Sequence, residues 1–135
     1  MSYKIQDIEG IGPKYGETLA AANIANTADL LESCGSASGR KAVAETTGLS
    51  TKQLLEWANR ADLMRIKGVG PQYADLLEAA GVDTVKELAR RNAENLAAKM
   101  ESVNDEKNLA NATPSAKAVA GWVAAAGDME PAISH

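Results

Sequence analysis

The sequence predicts an all-α fold made of two tandem units packed as one pseudo-symmetric domain. Three observations carry that prediction. The stretch Ile8-Glu9-Gly10-Ile11-Gly12-Pro13-Lys14-Tyr15 returns as Ile66-Lys67-Gly68-Val69-Gly70-Pro71-Gln72-Tyr73. The repetition extends well beyond these eight residues, as internal repeats of a structural unit do. Apolar residues recur at helical spacing throughout, and no stretch alternates as a half-buried strand would.

Each copy of the repeated stretch is an apolar residue, then Gly-apolar-Gly-Pro, then a helix-forming run. Two glycines flanking one apolar residue allow a sharp turn, because positive φ is accessible at either. Pro13 and Pro71 fall where a helix places its first residue, a position that needs no amide partner. The intervening Ile11 and Val69 can tuck between two helices. The expected local structure is a short helix, a tight hairpin and a second helix opening at the hairpin.

The remaining elements follow in order. Tyr3–Ile8 should form a short helix leading into the first turn, and Pro13–Ala22 a second, with Asn23 able to end it in a left-handed conformation. Thr27 is expected to cap a short helix through Leu30 and Leu31. Ser38 can cap the next, which stops at Gly48. Ser50 caps a helix carrying Leu54, Leu55, Ala58 and Ala61. In the second unit Pro71–Ala80 stops at Gly81. Asp83 and Asn92 are the caps expected for the next two helices. Thr113-Pro114 starts the helix of Trp122, and Gly127 ends it.

Gly10, Tyr15, Leu19, Ile24 and Leu30 match Gly68, Tyr73, Leu77, Val82 and Leu88 at a constant offset of 58. Ser50, Leu54, Trp57 and Ala61 match Ser115, Val119, Trp122 and Ala126 at an offset of 65. The second unit therefore carries about seven extra residues, assigned to the polar run Glu101–Asn111. The expected boundaries are 1–66 for the first unit, 67–127 for the second and 128–135 for a flexible tail.

The residues at 8–14 closely resemble the helix-hairpin-helix motif of DNA-repair and DNA-processing proteins. The whole plan, including Gly39-Arg40-Lys41, Leu55–Leu63 and Leu77–Val82, is similar to an uncharacterised, mostly bacterial family of tandem helix-hairpin-helix (SAM-like) proteins. The first resemblance implies sequence-independent contact with a sugar-phosphate backbone. The second supports the fold and carries no biochemical role.

The chemistry behind the implied contact is general. A helix N-terminus carries unpaired N–H groups and partial positive charge, and glycine-rich turns add further amides. The candidate nucleic-acid-binding residues are Gly10, Ile11, Gly12 and Lys14 in the first turn, and Lys67, Gly68, Val69 and Gly70 in the second. Gln72 replaces Lys14 in the second copy, with Lys67 as partial compensation. Asp7, Glu9 and Glu17 flank the first turn and would repel a phosphate. The alternative is that the hairpins only organise helices in a protein-interaction or scaffold module. Net charge of −4 and a pI near 5.0 favour that alternative, since nucleic-acid binders usually show a basic footprint. The excess is uneven: residues 1–67 hold 8 basic and 8 acidic side chains, residues 68–135 hold 6 and 10.

Tyr15, Tyr73, Trp57 and Trp122 read as packing residues, and Arg40-Lys41 and Arg90-Arg91 as solvated helix ends. No enzyme, metal or cofactor is expected. His135 is the single histidine and stands at the last position, and the lone Cys34 has no histidine partner. One cysteine excludes an intrachain disulfide and fits a reducing cytoplasm. No apolar run follows Met1, so no secretory leader is expected, and Ala118–Ala126 is too short to span a bilayer. The partners implied are duplex DNA or another protein, with no membrane.

Overall fold

The computed structural model describes residues 3–135. Among them are eight α-helices and one 3₁₀ turn, with no named strand. The 3₁₀ turn Ile5–Asp7 leads into α1 (Gly12–Ala21), followed by α2 (Thr27–Cys34), α3 (Ala37–Thr47) and α4 (Thr51–Leu63). Then come α5 (Pro71–Ala79), α6 (Val85–Leu88), α7 (Ala93–Lys107) and α8 (Ala116–Gly127). The chain is all-α, as the periodicity requires.

Local sequence explains most helix ends. Ser50 and Gln53 form a reciprocal capping box at the start of α4, which satisfies two orphan donors at once. Asn92 and Ser115 cap α7 and α8 through their side-chain oxygens. Gly48 ends α3 at φ +78°. The ends of α1 and α5 match each other. Asn23 (φ +68°) and Gly81 (φ +97°) adopt left-handed backbone. The amides of Ile24 and Val82 then reach back to the carbonyls of Leu19 and Leu77, each at 2.9 Å. This six-to-one bond is the Schellman closure. Its apolar partners, Ile24 and Val82, have no exposed surface.

Three expected caps move by a residue or two. Asn26, not Thr27, caps α2, accepting from the Asp29 amide at 2.8 Å. Thr27 is committed elsewhere: its hydroxyl accepts from the Tyr3 amide at 3.0 Å, and its own amide donates to the Tyr3 carbonyl at 2.9 Å. Ser36 replaces Ser38 on α3, and Thr84 replaces Asp83 on α6. The α8 helix begins at Ser115-Ala116, just after the expected Thr113-Pro114.

Leucine, isoleucine, valine and alanine from every helix except α3 make one continuous core, and α3 closes it with the half-buried Val43 and Ala44. Trp57 and Trp122 are 6% exposed. Each lies against a tyrosine of a preceding helix, Tyr15–Trp57 and Tyr73–Trp122, with ring centroids 5.3 Å apart in both pairs. Interplanar angles of 54° and 51° give both pairs the tilted geometry that ring quadrupoles favour.

Two buried polar residues tie the chain together. Asp62 accepts from the Val85 amide at 2.8 Å and pairs with Arg65 at 2.6 Å, so α4 supplies the acceptor at the start of α6. Arg40, read above as part of a solvated helix end, is buried instead. Its guanidinium donates to the carbonyls of Cys34 and Gly35 at 3.0 Å each and to Ser134 at 2.6 Å. A cation at the C-terminus of α2 meets the negative end of its dipole. Arg65 also donates to the Glu130 carbonyl at 2.9 Å, and the Ser134 amide to Gly35 at 2.8 Å. Within residues 128–135, Glu130 and Ser134 are thus bonded to Arg65, Arg40 and Gly35.

The α7 helix has 15 residues against 11 in α3, and a longer loop follows it than follows α3. Asn104 clasps that loop: its amide donates to the Ala110 carbonyl at 3.0 Å and its oxygen accepts from the Ala110 amide at 2.9 Å.

Candidate nucleic-acid interface

Both glycine turns form the same way. The Ile11 amide donates to the Ile8 carbonyl at 3.2 Å, and the Val69 amide to the Ile66 carbonyl at 3.0 Å. The third residue of each four-residue turn is then Gly10 (φ +92°) or Gly68 (φ +95°). A type II turn needs positive φ at that place, which explains glycine there. The second glycines differ. Gly12 has φ +60°, whereas Gly70 lies in extended backbone at φ −94°, so only the first turn uses left-handed freedom at both. Ile11 and Val69 are buried at 2% and 0% exposure, anchoring each turn to the core.

The donors left over are specific. Among the described residues the amides of Gly10, Gly12 and Lys14 have no acceptor, and neither do those of Gly68, Gly70 and Gln72. Neither α1 nor α5 has a side-chain cap. Gly10, Gly68, Lys14 and Lys67 are exposed, and Gly12 and Gly70 half-buried. The candidate residues therefore divide by role. The glycines and lysines supply donors and charge, while Ile11 and Val69 hold the turns in place.

The surroundings of the two turns differ. Beside the first lies an acidic neighbourhood. Burial raises the carboxyl pKa of Asp75 on α5, Glu9 and Glu78 add to the rise, and Arg60 opposes it. Arg60 approaches Asp75 to 2.7 Å and Glu78 to 3.3 Å. The Asp75 contact is an ion pair without an aligned hydrogen bond, because that same carboxylate oxygen has no hydrogen-bond partner. The second turn is walled by the extra loop. The Asn111 amide donates to the Gln72 side chain at 3.3 Å, and a cavity of about 390 Å³ lies between Gly68, Gly70–Tyr73 and Asn111-Ala112.

Nothing in the sequence marked the indole nitrogens of Trp57 and Trp122 as part of these turns. A Cβ placed on Gly10 would lie 3.6 Å from the Trp57 Nε1, and one on Gly68 would lie 3.2 Å from the Trp122 Nε1. The signal that could have found them is the recurrence of one tryptophan with each glycine turn. Arg91 points to the end of α5, donating to the Ala80 and Gly81 carbonyls. Cys34 is buried, and burial pushes its thiol up to about 11 against the opposing charge of Arg40, so the neutral thiol is favoured at neutral pH.

A helical domain with two uncapped glycine turns is what this geometry defines. The chain belongs to the family described as domain of unknown function DUF4332, whose model matches residues 9–129. No curated protein and no solved structure matches the chain. No helix among the described residues is long and apolar enough to cross a membrane.

Proposed function

We propose that the two turns belong to tandem helix-hairpin-helix units related by pseudo-symmetry, and that the protein grips duplex DNA backbone without reading sequence and without catalysis. The observation that supports this is the set of unpartnered amides at Gly10, Gly12 and Lys14 and at Gly68, Gly70 and Gln72. Backbone donors at a helix N-terminus suit a phosphate oxygen. Lys14 and Lys67 add charge, and their exposure leaves them available. The single buried thiol fits a cytoplasmic setting.

Two lysines release few counterions. The expected dissociation constant falls in the non-specific range, roughly 10⁻⁴–10⁻⁶ M, with a log–log salt slope of about −2 for two neutralised phosphates. Fluorescence anisotropy with a labelled mixed-sequence duplex at low salt measures both. Lys14→Glu should weaken binding, and different duplex sequences should bind alike. Absence of binding up to about 100 µM, the weak end of that range, overturns the reading. The acidic neighbourhood of Glu9, Asp75 and Glu78 favours a second reading, in which the turns are structural and the protein docks on another protein.

A further inference from the structure

The glycine turns hold a donor that the backbone does not provide. Trp57 and Trp122 are each more than nine-tenths buried, yet neither indole N–H donates to any acceptor among the described residues. Buried indoles ordinarily find a partner. Neither nitrogen is among the fully enclosed polar atoms that lack one, so both reach solvent. The place where they do so is the turn itself, 3.6 Å from a Cβ position at Gly10 and 3.2 Å from one at Gly68. The same arrangement occurs twice, on α4 and α8, with the two tryptophans 65 residues apart.

Rigid support holds each ring. Tyr15 packs on Trp57 and Tyr73 on Trp122 at one centroid distance, 5.3 Å. Trp57 rises from α4, whose start is locked by the Ser50–Gln53 capping box, and Trp122 from α8, capped by Ser115. Glycine at positions 10 and 68 thus does two things. It takes up positive φ, and it leaves the indole nitrogen uncovered, where any side chain would stand in front of it.

We propose that each turn is a composite anion site, in which the indole N–H of Trp57 or Trp122 donates to an oxygen of the same phosphodiester that meets the turn amides. The proposal rests on the DNA-backbone reading above and adds a side-chain donor to it. An N–H aimed at an ionised oxygen makes a short, charge-assisted bond. Because the ring is already fixed, little side-chain freedom is lost when the anion arrives.

The test uses ¹⁵N-labelled full-length protein titrated with a mixed-sequence duplex at low salt. The chain has two tryptophans, so two indole N–H resonances are followed, assigned with Trp57→Phe and Trp122→Phe. Both indole protons should move downfield in step with the Gly10, Gly12, Gly68 and Gly70 amides, with one midpoint. Each Trp→Phe variant should bind about tenfold more weakly, the low end of what one hydrogen bond to a charged oxygen contributes. Glycine amides that shift while both indole protons stay still would leave the DNA reading standing and overturn this one. No shift anywhere would overturn both. One moving indole would overturn the proposal for the other turn. The wild-type titration decides the matter even where a Phe variant fails to fold.

Discussion

Alanine at the two turn glycines should destabilise the protein unequally, and the inequality follows from the indole geometry. Gly10 and Gly68 share nearly the same backbone, at φ +92° and +95°. An L-residue in left-handed backbone costs about 1–2 kcal/mol, and this cost is common to both. The surroundings then separate them. The new Cβ at position 10 sits 3.6 Å from the Trp57 nitrogen, an ordinary contact, whereas at position 68 it sits 3.2 Å from the Trp122 nitrogen. Trp122 cannot easily retreat, because Tyr73 packs on it. Overpacking adds about 1 kcal/mol there, the low end of its usual cost. Gly68→Ala should therefore lose about 2–3 kcal/mol and Gly10→Ala about 1–2 kcal/mol. For 135 residues the unfolding entropy near the midpoint is about 0.28 kcal/mol/K. The expected falls in Tm are then roughly 7–11 °C and 4–7 °C. Gly121→Ala is the control: its Cβ meets nothing within 4 Å inside α8, and it should gain about 1 kcal/mol, or 3–4 °C. Thermal unfolding followed by helical circular dichroism reads all three. Equal losses at positions 10 and 68, or a larger loss at 10, would refute the claim that the indole stands over the second turn more closely than over the first.

Three further outcomes are expected. Asp62→Ala strands the Val85 amide and should cost about 1–3 kcal/mol in urea unfolding, while Asp62→Asn keeps an acceptor and should cost less. The Asp75 carboxyl is raised in the folded state, so its contribution to stability is fully present below the ordinary carboxylate range and is lost as pH rises through the raised value. Stability curves of the wild type and Asp75→Asn should therefore diverge as pH rises from about 4 toward neutrality, and parallel curves would refute the assignment. Cys34, with its thiol near 11 and no exposed surface, should resist iodoacetamide at pH 8 in the native protein and react in denaturant.

Helix content, the two glycine turns and their offset were legible in the sequence because they rest on local chemistry: apolar spacing, left-handed glycine, and Asn or Ser at an N-cap. Even the Schellman ends at Asn23 and Gly81 could be read this way. Where two polar residues competed for one cap, local reasoning chose badly. Thr27 outranked Asn26 only until Tyr3, 24 residues away, took the threonine hydroxyl. Arg40 looked like a solvated charge because the carbonyls it serves, at Cys34, Gly35 and Ser134, converge only in three dimensions.

What the sequence by itself determined is that a Gly-apolar-Gly-Pro bend occurs twice, 58 residues apart, and that each opens a helix. Tertiary structure alone decided what stands beside them: an indole nitrogen at each, an acidic cluster near one and a loop over the other. The reason is physical. Backbone conformation is set by a few neighbouring residues, whereas the donors and charges facing a turn come from helices dozens of positions away, and only packing brings those together.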